Sequence, residues 1–239
     1  MSTALFVWGG WDGHEPHRRV TRVAAALEPH GFRSEVVDSL EVLEDAERLS
    51  SVDVVVPCWT DGTITSKQVR GLMDAVARGT GLAGWHGGMG DAFRASPRFQ
   101  FMVGGQWVAH PGGIVGYEVG IEDPDHPVTA GLDAFGVRSE QYFMQVDPAN
   151  HVLASTTMDG RSFPWLEGCA MPVAWVRPWW AGRVFYCSLG HFAADFDVPD
   201  ALELVVRGVR WAARELDPTG PDRTVARDAA AEAAIDDHW

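Results

Sequence analysis

Apolar and polar positions along the first half of the chain fall into short blocks that switch between two periods. Leu5-Phe6-Val7-Trp8 is an apolar run closed by Gly9-Gly10 and reads as a strand. Over residues 17–28, Val20, Val23, Ala24 and Leu27 recur at helical spacing, and Pro29-His30-Gly31 stops the pattern. Residues 34–37 predict a second strand. Residues 52–58, an almost continuous valine run, predict a third that is covered on both faces. A helix follows from an N-cap at Thr65 to Arg78, and residues 81–85 form a fourth strand. Strand–helix repeats of this length predict an α/β fold with a parallel sheet and right-handed crossovers.

After residue 112 the period becomes two. Residues 112–122 alternate like a half-buried strand, and 135–145 and 152–157 read as further short strands. Residues 171–176 and 183–189 bracket Pro178-Trp179-Trp180-Ala181-Gly182 as a hairpin, so an antiparallel region is added to the parallel one. An amphipathic helix over 199–216 packs Leu202, Val205, Val206, Val209 and Trp211. With no repeat and no linker, 1–216 reads as one domain. Residues 217–239 read as a tail, either a short docked helix or a disordered end.

Composition narrows the functional classes. The 239 residues are 46% hydrophobic and 22% charged, as expected of a soluble domain with a sizeable core, and no apolar run is long enough to span a membrane. The N-terminus runs straight into a strand without a basic region, so no signal peptide is expected. Cys58, Cys169 and Cys187 lack metal-type spacing and suit reduced thiols in a cytoplasm. A formal charge of −14 argues against nucleic acid and anionic membranes and leaves neutral or cationic small molecules.

The densest chemical signal is Gly84-Trp85-His86-Gly87-Gly88, which has the spacing of a nucleophile elbow with His86 where a hydrolase carries Ser or Cys. Ligands of such sheets bind at the carboxyl ends of the strands. That rule gathers Trp11, Asp12, His14 and His17 after the first strand, Trp59, Thr60 and Asp61 after the third, Trp85, His86 and Gly87 after the fourth, and Gly190, His191 and Asp195 after the last. Four histidines are thus expected on one rim. Plainer readings exist: Pro16 makes His14-Glu15-Pro16-His17 an ordinary helix start, and His86 can serve only to fix its turn by hydrogen bonds. His110 lies in a glycine-rich loop before a strand. Glu140 and Tyr142 are expected on one strand face, where the carboxylate can orient a histidine or bind a substrate hydroxyl. Eleven tryptophans against three tyrosines, many at strand ends and loops, offer the flat apolar faces and N–H groups that suit a sugar ring.

Taken in order, Gly84-Trp85-His86-Gly87-Gly88, the stretch Phe101 to Pro111, Asp125-His126-Pro127-Val128-Thr129-Ala130-Gly131-Leu132, Ser139-Glu140-Gln141-Tyr142, Pro172-Val173-Ala174-Trp175 and the stretch Gly182 to His191 resemble the trehalose-utilisation (ThuA-like) family over residues 4–214. The resemblance implies a flavodoxin-like α/β fold of the class I glutamine amidotransferase superfamily and a link to bacterial disaccharide or keto-sugar metabolism. It also places His86 at the amidotransferase's nucleophilic cysteine and His191 at its catalytic histidine. The glutamate expected two residues later is Ala193, so glutamine hydrolysis through a thioester is not expected.

The expectation is therefore a cytoplasmic enzyme acting on a disaccharide or keto-sugar by histidine acid–base chemistry or with a divalent metal such as zinc. His86, His191 and Glu140 are the catalytic candidates. Trp11, His14, Trp59, Trp85, Gly87, Trp107, His110 and Tyr142 are the substrate-binding candidates, and His14, His86, His110 and His191 the metal-ligand candidates. The alternative is a noncatalytic sugar-binding or regulatory module. A homo-oligomer is expected, with the Trp-rich hairpin and the tail as contact surfaces.

Overall fold

A computed structural model describes residues 1–214. The first half runs β1 (Ser2–Gly10), α1 (Pro16–Leu27), β2 (Phe32–Val37), α2 (Ala46–Ser50), β3 (Val54–Thr60), α3 (Ser66–Ala77), β4 (Gly81–Trp85), α4 (Gly87–Gly90) and α5 (Pro97–Val103). The second half runs β5 (Gly105–Ala109), β6 (Ile114–Ile121), β7 (Phe135–Glu140), β8 (Phe143–Val146), β9 (His151–Thr157), β10 (Ala170–Trp179), β11 (Gly182–Cys187) and α6 (Pro199–Ala212).

Among the described residues, nine strands join one sheet in the order β2-β1-β3-β4-β11-β10-β9-β6-β7. From β2 to β11 the neighbours are parallel, and from β11 to β7 they are antiparallel. The two regions read from the sequence are therefore one continuous sheet, with β11 as the seam. Alternation along the parallel strands sorts side chains to two cores. Phe6, Val54 and Val56 pack with Val20, Val23 and Leu27 of α1 and with Leu204 and Val205 of α6. Leu5, Val7 and Val55 pack with Val69 and Leu72 of α3 and with Phe99 and Met102 of α5. Cover on both faces is the reason for the unbroken valine run. Thr65 caps α3 as expected, its hydroxyl accepting from the Gln68 N–H while Gln68 accepts from the Thr65 N–H.

Three expectations are corrected. Residues 135–145 do not form one strand: β7 ends at Glu140 and β8 starts at Phe143, in the separate β5–β8 pair. The glycine-rich stretch before His110 is not a loop, since β5 occupies it. The last helix ends at Ala212, packed so close on β4 that a methyl group on Gly81 would lie 2.1 Å from the Ala212 carbonyl oxygen. The expected tail at 217–239 lies outside the described residues.

Candidate active site

The site is built around the turn between β4 and α4. His86 is a non-glycine residue at φ 48°, a region that costs about 1–3 kcal/mol and persists only where its surroundings hold it. Here the His86 N–H donates to the Cys187 carbonyl at 2.7 Å, while its own carbonyl accepts from the Gly90 N–H at 2.8 Å and the Tyr186 hydroxyl at 3.1 Å. Gly87 is required by close approach, because a Cβ there would lie 2.7 Å from the His14 ring and 3.1 Å from the Tyr142 hydroxyl.

The His86 ring is fully buried, and its Nδ1 lies 2.8 Å from the Ser188 carbonyl. A carbonyl only accepts, so Nδ1 carries the proton and the lone pair is on Nε2. Nε2 faces three groups: the Tyr142 hydroxyl at 2.8 Å, His191 Nδ1 at 3.2 Å and Glu140 Oε2 at 3.2 Å. His191 Nδ1 lies 3.2 Å from the same Glu140 oxygen. His14, held by Thr60 Oγ1 at 2.8 Å from its Nδ1, completes the group with its ring 4.9 Å from His86 and 4.8 Å from His191. One ligand atom from each of His14, His86, Glu140 and His191 lies within 4.8 Å of all the others.

Electrostatics favours neutral His14 and His86 beside an ionised Glu140. Burial, with the charges of His86 and Arg19, lowers the His14 pKa to about 2. Burial also lowers that of His86 to about 4, against the opposing pull of the nearby Glu140 carboxylate. Burial would raise Glu140, but the His191 and His86 side chains beside it outweigh that effect and hold the carboxyl well below its ordinary range. Burial raises the Tyr142 phenol, so it stays protonated. Three imidazoles and a carboxylate, two of the rings fixed from behind by oxygen partners, are the donor set of zinc and similar ions. The same set can exchange protons without a metal.

Each candidate from the sequence has a place. Tyr142 is buried against His86, with ring centroids 4.1 Å apart, and reaches it through the chain break after Glu140 rather than by strand alternation. His110 stays on the rim, half-exposed, with Nε2 3.6 Å from Glu140 Oε1 and its ring stacked on Trp107. Glu140 therefore takes the fourth donor position that His110 was expected to share. Trp107 also faces Tyr142 and carries Arg94 5.1 Å above its ring. Trp11 is 56% exposed and meets the His14 ring edge-on, and Trp59 is half-buried beside Phe93. Trp85 is not a pocket residue: it is fully buried against Phe196, in the core shared with α1 and α6. His17 does not join the other three histidines, because it sits exposed on α1 against Trp8.

Two residues went unnoticed in the sequence. Ser188 acts only through its carbonyl, which no residue type reveals. Arg19 is wholly buried on the apolar face of α1, donates to the Gly190 carbonyl at 2.9 Å, and has Nε and Nη2 without a partner. An arginine directly before Val20, at helical spacing from Val23, was its only trace. Asp195, already grouped with this site, accepts from the His191 N–H at 2.9 Å and from the Ser139 hydroxyl.

Comparison with known proteins agrees with the fold and the motifs. The family model described as ThuA, trehalose utilisation, matches residues 3–212, and the chain belongs to that family. A ThuA-like protein from Parabacteroides merdae is 19% identical, with 88% of this chain and 89% of that one covered at a TM-score of 0.73. One from Bacteroides uniformis is 17% identical over 88% and 90%, at 0.72. A cytoplasmic protein from Salmonella typhimurium is 12% identical over 89% and 100%, at 0.63. No curated protein matches at a significant level. Among the described residues, no helix is long and apolar enough to cross a membrane.

Proposed function

We propose that this member of the trehalose-utilisation family is a cytoplasmic enzyme acting on a disaccharide or keto-sugar, with His14, His86, Glu140 and His191 holding a divalent ion such as zinc. The observation that carries the reading is the convergence of these four donors on one buried point, with His86 and His14 oriented from behind by Ser188 and Thr60. When bound, such an ion polarises a sugar carbonyl or hydroxyl oxygen.

The side chains supply the rest. Glu140 presents Oε2 to the interior and Oε1 to His110, so a proton taken from a sugar hydroxyl or carbon has a path to the half-exposed rim histidine. Tyr142 donates its hydroxyl proton to the His86 Nε2 lone pair, and with that lone pair given to an ion the phenol would be free to donate to a substrate oxygen. Trp107 and Trp11 flank the opening and offer ring faces to the sugar's C–H surface. Glutamine hydrolysis is disfavoured because His86 and Ala193 replace the thiol and the orienting carboxylate.

The test is turnover of trehalose and 3-keto-glucosides by purified protein, with and without added divalent metal, compared with His86→Ala and His191→Ala. The reading predicts metal-dependent turnover that both variants lose. Sugar binding without turnover under any metal condition favours the noncatalytic module instead. Variants equal to wild type in both turnover and affinity overturn the pocket assignment.

A further inference from the structure

The outer face of the antiparallel extension carries a cavity of about 370 Å³ that the site above does not use. Along β6, alternation puts Gly116, Glu118 and Gly120 on one face, and the register pairs Glu118 with Gly136 of β7 and Gly120 with Ser155 of β9. Glycine weakens a strand interior, and its usual justifications are missing at these positions. None of the three has a positive φ, and a Cβ would meet nothing within 4 Å at Gly116 or Gly136 and only the Ser155 carbonyl, at 3.9 Å, at Gly120. The remaining reason for glycine in a strand is close approach of something outside the chain.

The lining says what approaches. Glu118, Glu122 and Asp159 contribute carboxylates, and Ser155, Thr156 and Thr157 contribute hydroxyls. Among the described residues no basic side chain lines the cavity itself; Arg161 pairs with the lining Asp159, and Arg138, paired with Gly116, shares that strand face at its edge. The volume is that of a small-molecule site, roughly 300–1,000 Å³, yet the wall is far more polar than such sites usually are. A polar, acidic, concave wall fits a neutral polyhydroxylated ligand better than a phosphorylated one, and better than the apolar core of a protein interface.

The cavity also adjoins the active site. Gln141, between Glu140 and Tyr142, forms part of its wall and is fixed by Nε2 donating to Thr156 Oγ1 at 2.9 Å. Tyr117, another wall residue, donates its hydroxyl to the Glu140 carbonyl at 3.1 Å. A narrow hollow shares Gln141 and Asp159 with the cavity and continues past the half-exposed Phe163 to Pro111, next to His110. We infer that this trough is a saccharide subsite for a second, unphosphorylated sugar unit of a ligand whose first unit sits at His86. The inference rests on the sugar reading of the His86 pocket.

The experiment is calorimetric titration of the full chain with glucose, trehalose and trehalose 6-phosphate, repeated on Gly116→Trp, Glu118→Gln and His86→Ala, with circular dichroism to verify folding. Wild type should bind trehalose at least tenfold more tightly than glucose or the phosphate ester. Gly116→Trp and Glu118→Gln should remove that advantage while leaving glucose affinity unchanged, and His86→Ala should weaken glucose. If glucose binding depends on His86 but trehalose or its phosphate gains nothing from the trough, only the subsite is overturned. If no sugar binds, or His86→Ala binds glucose as wild type does, the pocket reading fails and the subsite with it. A Gly116→Trp variant that dissociates a dimer in light scattering with trehalose affinity unchanged makes this face a contact between copies and overturns the subsite.

Discussion

Glu140 Oε2 lies 3.2 Å from His191 Nδ1, so β7 supplies the carboxylate that position 193 lacks. In the amidotransferase pattern that the elbow resembles, the carboxylate is expected two residues after its histidine. Here it arrives from the antiparallel extension and touches His191 and His86 together. The antiparallel extension thus contributes a side chain to this cluster.

Glu140→Gln keeps the size of the side chain and removes its charge. We expect a folded protein whose zinc affinity falls at least 10–100-fold, the range seen when groups around a metal are altered. Competition with a chromophoric chelator measures it. An unchanged affinity removes Glu140 from the donor set.

Metal-free protein should lose stability as pH falls from about 6.5 to about 4. In that window the unfolded chain binds a proton at His86 that the native chain, with its pKa lowered to about 4, does not. Stability therefore rises with pH there, with a slope of up to about 1.4 kcal/mol per pH unit for such a histidine. His14, lowered to about 2, acts in the same direction. Urea unfolding at pH 7.0, 6.0 and 5.0 checks the trend, and flat stability contradicts the neutral-imidazole assignment.

Arg19→Met replaces a buried guanidinium, two of whose nitrogens lack partners, with an apolar chain of similar reach. The fold should keep or gain stability, because a buried charge without a counter-ion is costly. Arg19 also lowers the pKa of His86 and His14 by its charge, second to burial among the lowering effects on His86. Their proton NMR titrations should therefore shift partway back toward 6.5 in the variant.

Two tryptophans should separate cleanly. Trp85→Ala empties a core position packed on Phe196 and should cost about 3–5 kcal/mol of stability. Trp107→Ala, at the half-buried mouth of the pocket, should cost far less stability and weaken sugar binding instead. Thermal melts and calorimetry on the two variants provide the comparison.

How much of this the sequence disclosed follows from what each feature depends on. The valine run of β3 and the amphipathic α1 were legible because burial on two faces and on one face leave different periods. The elbow was legible because its glycines are required by contacts at fixed offsets. His14, His86 and His191 could be grouped because strand ends in a parallel sheet share one edge. The break after Glu140 left a trace that a single strand does not explain: apolar residues fall on alternate positions at Phe135 and Val137 but on consecutive ones from Tyr142 to Met144, where the chain passes from one sheet to another. Trp85 was misplaced because a residue at a strand end points to either face, and the core beneath α6 claimed it. His110 directly follows β5 and stays at the rim, 3.6 Å from Glu140, outside the group of four donors.

The most direct test of the central claim is the metal content of purified protein, by elemental mass spectrometry, for wild type, His86→Ala and Glu140→Gln. The account predicts a stoichiometric divalent ion in wild type that both variants lose. Wild-type protein that carries no divalent ion, and takes up none when zinc or manganese is added, would contradict it.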